Sequence, residues 1–570
     1  MPGPALAGPT LALALVLGAL LAVTPPDAAA QATTPPFTRA DTLRGSIGPG
    51  RAWWDVTFYD LHVAVSLADS AIRGTNRIVY RVTGPGGAMQ IDLQRPLEVD
   101  SVVRRGQRLA HRREGDVVWV EVPGQRVGAV DTVTVHYGGR PRPAPNAPWD
   151  GGFVWAVDSL GQPWVATANQ GLGASVWWPN KDTQADEPDS QRIAITVPPP
   201  LIDVSNGRLR SVAANGDGSF TWEWFVRAPI NNYNVTVNAG VYTRFGETYE
   251  GEGGTLTLDY WPLAYHLDAA RRQFAQVPSV LRCFEHWFGP FPWYGDGLKL
   301  VETPHLGMEH QSAVAYGNGY VNGYRGRDLS GTGLGLEWDF IIVHELAHEW
   351  WGNSITTADL ADMWVHESFA NYSEALYTEC LRGKDAGARY ARGVRDGIGN
   401  DRLVIPAFGV NAKGSGDMYN KGGTMLHMIR QLVDDDERWR AILRGLQTEF
   451  RHGIVTGDLV RKTMIDHTGL DLDPVFRQYL ETTRIPVLEY RIDGATLRYR
   501  WADAVPGFAM PVDARLGPGA CTRLAPAAEW RSVPLRDPGA FGVDRDFYVL
   551  TRDVRAGSAA RPADASCAGA

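Results

Sequence analysis

From about Trp53 to Thr243, apolar and polar residues alternate with a period of two. The runs TFYDLHVAVSL, NRIVYRV, DVVWVEV and DTVTVHY are parted by Gly, Pro and Asp, and IAITVP, FTWEWFV and NVTVNAGVY continue them. Such alternation places every second side chain on one face of a strand. No helical period interrupts it, so residues 51–243 are expected to form an all-β domain. After Gly254 the period changes. TLTLDYW reads as a strand, HLDAARRQFAQVPSVLRCFEHWF repeats its apolar positions at three and four, and GLKLVETP is a strand again. Helical spacing then dominates from Trp338 to about Leu480, in LEWDFIIVHELAHEWW, HESFANYSEALYTECLRG, KGGTMLHMIRQLVDDDERWRAILRGLQTEF and TGDLVRKTMIDHTG. Residues 244–486 are therefore expected to be an α-rich domain around one small sheet. From Leu488 the alternation returns in EYRIDG, TLRYRWA, WRSVPL and DFYVLTRD. This predicts a small β domain over 487–555 and a flexible Ala- and Gly-rich tail over 556–570. The fold class is multidomain α+β.

The first thirty residues follow neither pattern. Leu11 to Val23 is an apolar stretch too short to span a membrane comfortably, and Ala28-Ala29-Ala30 offers small residues for cleavage. Residues 1–30 read as a signal peptide cut near Ala30, although no Lys or Arg precedes the apolar stretch. Residues 31–50, rich in Thr, Pro and Gly, read as a disordered leader. No other run of about 18 apolar residues follows, so no stable membrane span is expected in the mature chain. The expectation is an exported protein, periplasmic or secreted. A net charge of −9 and the lack of a long basic run argue against nucleic acid as a partner. Four cysteines in 570 residues are too few for a disulfide scaffold. Cys521 and Cys567 can pair, whereas Cys283 and Cys380, in helical stretches, read as buried thiols. The sequons at Asn234 and Asn371 read as chance matches. Oligomeric state is not legible.

The chemistry concentrates in IIVHELAHEWWGN. His344 and His348 are four residues apart, which on a helix puts both imidazoles on one face. Two neutral imidazoles and a carboxylate suit one zinc ion per chain, with a fourth position left open. Glu345 adjoins the first ligand, where it can take a proton from water that the ion acidifies. The third ligand is expected to be Glu367, in MWVHESFANYSEAL, on a second helix antiparallel to the first. Asn371, one turn later, is a candidate to orient a ligand imidazole.

HELAHEWWGN followed by Glu367 in WVHESFANY resembles the aminopeptidase N family of gluzincin zinc metallopeptidases, relatives of leukotriene hydrolase and of cold-active bacterial aminopeptidases. The resemblance implies a saddle-like N-terminal β domain and a thermolysin-like catalytic domain. PHLGMEHQSAVAYGN resembles the family's Gly-x-Met-Glu-Asn edge strand, with Leu306 in place of the first Gly and His310 in place of the Asn. In that register Glu309 binds the substrate's free α-ammonium group, and Met308 and His310 line the pocket for its side chain. A fixed carboxylate at a set distance from the metal favours an amine there, and a substrate without one would leave it buried and unpaired. By the same match Gln170, ahead of SVWWPN, is a second amine anchor. Tyr419, in DMYNKGG, donates its phenol to the oxyanion. The C-terminal region departs from the larger members, and their basic groups for a peptide's C-terminal carboxylate cannot be placed, which implies a more open cleft. The expected function is a zinc-dependent aminopeptidase acting on peptides with a free N-terminus. Another zinc hydrolase on the same scaffold (an endopeptidase or an epoxide hydrolase) and a catalytically silent peptide-binding relative are the alternatives. The preferred N-terminal residue is not legible.

Overall fold

The structure is a computed structural model that describes residues 37–518, 521–557, 559, 560 and 567. The expected signal peptide and most of the expected tail lie outside these residues.

The alternating runs form the N-terminal region. Its largest sheet has eight strands, with Trp54–Ser66 near the centre. That strand pairs antiparallel with Ala71–Val82 and parallel with Ser190–Val197. Its inward residues Tyr59 and Leu61 are fully buried and pack with Ile78, Val135 and Ile193. A four-stranded sheet beside it includes Gly152–Val157 and Pro163–Ala168, and it ends two residues before Gln170.

The expected leader is partly ordered. Arg39–Gly45 is a helix. Gln90 Nε2 donates to the Leu43 carbonyl at 2.9 Å, and buried Arg51 donates to the carbonyls of Arg44 and Ser46. Arg51 is itself paired with Asp92 at 2.7 Å. Hydrogen bonds to backbone carbonyls hold this stretch, and hydrophobic periodicity carries no trace of such bonds.

The catalytic region begins with a five-stranded sheet in the order Phe245–Gly251, Gly254–Trp261, Leu298–Glu302, Val314–Tyr316, Gly307–Met308. The short strand Gly307–Met308 is its edge and runs antiparallel to its neighbour. Helices Phe340–Ala347, Trp364–Arg382 and Asn420–Val433 share one apolar core with this sheet. That core continues without a break into the C-terminal sheets through Leu488, Trp501, Val512 and Val549. The chain is thus mixed α+β, with an all-β N-terminal region, a helical catalytic region and C-terminal sheets.

Cys283 and Cys380 are not free thiols. They form a disulfide between helix Val277–Phe288 and helix Trp364–Arg382, whose packing brings the two Cα atoms to 6.1 Å. Cys521 and Cys567 form a second disulfide. Asn234 is fully buried and Asn371 is buried, so neither sequon can carry a glycan in this fold.

Candidate metal centre and active site

The first histidine-bearing helix is shorter than its apolar pattern suggested. It starts at Phe340, because Asp339 caps it by accepting from the backbone of Ile341 at 3.1 Å and Ile342 at 3.3 Å. His348 is its C-terminal cap residue. The Nε2 atoms of His344 and His348 stand 3.3 Å apart. Glu367, in the first turn of helix Trp364–Arg382, sets Oε2 3.6 Å from His344 Nε2 and 3.3 Å from His348 Nε2. All three residues are buried, and their ligand atoms lie within 4.8 Å of one another.

The far side of each ring is already committed. His344 Nδ1 meets Glu374 Oε1 at 2.9 Å, and His348 Nδ1 meets the Trp351 carbonyl at 2.8 Å. These acceptors fix Nδ1 as the protonated atom and turn both Nε2 lone pairs inward. Two lone pairs and a carboxylate in a buried space repel unless a cation or a proton sits among them. Against the cost of burial, Glu367 and Glu374 hold His344 well above the usual histidine range, and Glu367 holds His348 up at about 9. Glu367 Oε2 makes no hydrogen bond among the described residues. The cage therefore draws positive charge, and its donor set fits zinc.

Glu345 lies beside this cage. Burial pushes its carboxyl up to about 7, and the charges of Glu309 and Glu367 add to the effect. The edge strand comes close here because position 307 is Gly. A Cβ there would stand 2.8 Å from Glu345 Oε1. Tyr419 immediately precedes helix Asn420–Val433, and its ring stacks on His344 with centroids 5.9 Å apart. Burial, with the charges of Glu367 and Glu309, raises its phenol well above the usual range.

Glu309 is buried next to Glu345 and His348. Gln170 Nε2 donates to Glu309 Oε1 and to Glu367 Oε1, both at 2.7 Å. Tyr233 donates its hydroxyl to the same Glu309 oxygen at 3.2 Å. The Glu309 backbone is held by Asn353, whose Nδ2 donates to its carbonyl at 2.8 Å. Asn353 is in turn held by Asn234.

Met308, Glu309, Gln170 and the cage all line one cleft of about 330 Å³. His310 is not among the lining residues. It is fully buried near His305, and burial depresses its basicity. The resemblance placed it at the pocket beside Met308, but strand pairing stops at Met308. The chain then turns, with Ala313 N donating to the His310 carbonyl and Ser312 at φ 58°. Asn371 lines the cleft but touches Glu374 at 3.4 Å and Asn420 at 3.4 Å, not an imidazole. Glu374 takes the orienting position. It lies two turns after Glu367 on the same helix face, which is the signal that marks it. Tyr233 sits in a run of asparagines with no such signal.

Comparison with known proteins agrees with this geometry. Residues 279–479 match the model of the peptidase family M1 domain. Aminopeptidase N of Lactobacillus helveticus is 31% identical over 208 residues, 34% of this chain and 24% of that protein. Aminopeptidase N of Streptomyces lividans is 26% identical over 298 residues, 48% of this chain and 33% of that protein. The chain thus spans about a quarter to a third of the length of these curated relatives. An M1 zinc metallopeptidase from Deinococcus radiodurans shares the fold with a TM-score of 0.65 at 21% identity, covering 78% of this chain and 98% of that one. A two-domain M1 zinc metallopeptidase bound to L-tryptophan gives a TM-score of 0.66 with the same identity and coverage. Residues 279–479, the stretch similar to the peptidase family M1 domain, hold His344, His348 and Glu367 with Glu345, Glu309 and Tyr419 around them.

Proposed function

We propose that this chain is a zinc-dependent aminopeptidase that hydrolyses the N-terminal peptide bond of peptides. The observation that carries the reading is the environment of Glu309. A buried carboxylate that pairs with no Lys or Arg among the described residues stands beside the metal cage, and the Gln170 amide nitrogen lies 2.7 Å from it. That contact shows a Glu309 oxygen accepting from an N–H donor, as it would from a substrate ammonium beside it. An ammonium there is fixed at a set distance from the cage, so the cut is counted from the N-terminus.

His344, His348 and Glu367 would hold the zinc, which would supply Lewis acidity toward the scissile carbonyl and acidify water within its reach. Glu309 and Gln170 hold the amine, with the Gln170 amide turned so that its oxygen faces the cation. Glu345 takes the proton of the attacking water and passes it to the leaving amine. A carboxyl that burial raises to about 7 suits a group that must both accept and release a proton. Tyr419, kept protonated by its surroundings, donates its hydroxyl to the oxyanion. Glu374 holds His344 in the right tautomer throughout. Met308 lines the side-chain pocket of the first residue.

Aminoacyl-anilides tested free and N-acetylated, with and without a chelator, check this reading. Chelator-sensitive release from the free forms alone is expected. Equal release from the acetylated forms would remove the amine anchor and leave an endopeptidase or a broader amidase.

We further propose export through the N-terminal segment. Two disulfides support this, since they persist in oxidising compartments. No helix among the described residues is long and apolar enough to cross a membrane. A mature N-terminus at residue 31 in the extracytoplasmic fraction is the expected result.

A further inference from the structure

The two histidines of the cage sit one helical turn apart, and the cleft differs on their two sides. On the His348 side lie Glu309 and Glu345, whose ligand atoms are within 4.8 Å of one another and of His348. On the His344 side an aromatic run leads away from the cage. Phe340 stacks on His344 at 5.3 Å and 13°, and Tyr324 packs edge-on against Phe340 at 5.3 Å. Leu329, 47% exposed, extends this wall. With the amine at Glu309 and the scissile carbonyl at the cage, the residue after the cut lies along this wall.

The charge of the cleft is one-sided. Glu309, Glu345, Glu367 and Glu374 line it, and among the described residues no Lys or Arg does. Even with a divalent ion in the cage and an ammonium at Glu309, these carboxylates are not over-neutralised, and no cation is left for a further anion. The loop that carries Tyr324 and Leu329 also carries Arg325 and Arg327, both exposed and outside the lining. The Arg327 guanidinium is engaged over the Tyr324 ring at 5.6 Å. An α-carboxylate one residue past the cut is thus confined to an apolar wall beside anionic groups, where a like charge in low dielectric is costly. A continuing chain or a terminal amide brings no such charge.

We propose that the leaving side of this cleft rejects a free α-carboxylate, so that the substrates are peptides of three or more residues, or amides, rather than free dipeptides. This rests on Glu309 as the amine anchor. The zinc-loaded enzyme is tested on leucine p-nitroanilide, Leu-Leu and Leu-Leu-NH2 by kcat/KM. The amide should exceed the free dipeptide by about tenfold or more. The variant Leu329→Arg, at an exposed position, places a cation on the wall and should raise the ratio of kcat/KM for Leu-Leu to that for Leu-Leu-NH2 several-fold. Equal kcat/KM for the free dipeptide and its amide, with the anilide cleaved, overturns this inference and leaves the aminopeptidase reading intact. Failure of the whole panel of free aminoacyl-anilides overturns both.

Discussion

Glu345 and Glu367 are both buried carboxylates beside the same two imidazoles, yet their surroundings set them apart. Glu367 is drawn into the cage, and the neighbouring imidazoles hold its carboxyl well below the usual range despite burial. Glu345 is pushed up to about 7 by burial. One group is thus kept ionised, as a ligand must be, and the other is poised to exchange a proton. Glu345→Gln should lower kcat by at least about 10²-fold while zinc content and melting temperature stay at the wild-type values. Turnover and metal stoichiometry on the same preparation test this. Zinc lost together with activity would make Glu345 a ligand or a structural residue instead. At this scale the sequence shows what spacing along one helix encodes. His344, His348 and Glu345 follow from a four-residue repeat. Tyr233 reaches Glu309 across 76 positions, and nothing local announces it. The family resemblance placed His310 at the pocket, but strand pairing ends at Met308 and the chain turns His310 inward.

The histidine-bearing helix depends on what precedes it. Asp339 accepts from the first turn of that helix, from Tyr316 at 2.7 Å, from Gln273 at 2.7 Å and from Asn318 at 2.9 Å. One carboxylate thereby ties the helix to the sheet strand Val314–Tyr316 and to helix Leu267–Phe274. Asp339→Ala removes the cap and leaves several buried donors unpaired. Loss of the cap alone costs about 1–2 kcal/mol, and each orphaned donor adds about 1 kcal/mol or more. The variant should melt several degrees lower and hold zinc more weakly, as read by calorimetry and chelator competition. Unchanged zinc affinity would show that packing alone positions the helix. Elements with an apolar period were legible in part: strands such as Trp54–Ser66 and helices such as Val277–Phe288 overlap the runs the pattern marked, while NVTVNAGVY holds a strand only at Asn238–Gly240. Elements held by polar contacts were not. Helix Arg39–Gly45 buries no side chain, and it is held by its own carbonyls accepting from Gln90 and Arg51 and by the ion pair of Arg39 with Glu114, partners distant or nondescript in sequence. The Cys283–Cys380 disulfide was missed for a related reason. Its 97-residue separation closes only once the two helices pack.

The C-terminal sheets are more than an appendage, because their attachment runs to the wall of the cleft. Asp546 accepts from Arg392 at 2.5 Å and meets His427 Nε2 at 3.1 Å. Arg395 donates to the carbonyls of Arg545 and Asp546, and Tyr479 to that of Tyr548 at 2.7 Å. His427 belongs to the helix that follows Tyr419, and Val394, next to Arg395, lines the cleft. Against the cost of burial, the His427 hydrogen bond and the Arg392 charge hold the Asp546 carboxyl well below the usual carboxylate range. A carboxyl depressed in the folded state stabilises it above the unfolded pKa of about 3.9, and that contribution is lost as pH falls through the folded value. Asp546→Asn keeps the shape and one acceptor but removes the charge, so it should cost about 1–3 kcal/mol at pH 7 and lower the melting temperature by a few degrees. The gap between wild type and variant should be constant from pH 8 to about 5 and close below about 4, where wild-type Asp546 begins to be protonated in the unfolded chain. Because the same contacts brace the helix behind Tyr419, kcat should fall with stability while zinc content holds. Melting curves of both proteins from pH 3 to pH 8 separate the cases. A gap that persists unchanged at pH 3 would place the stabilisation in the shape of the residue, and the docking of the C-terminal sheets would then owe nothing to its charge.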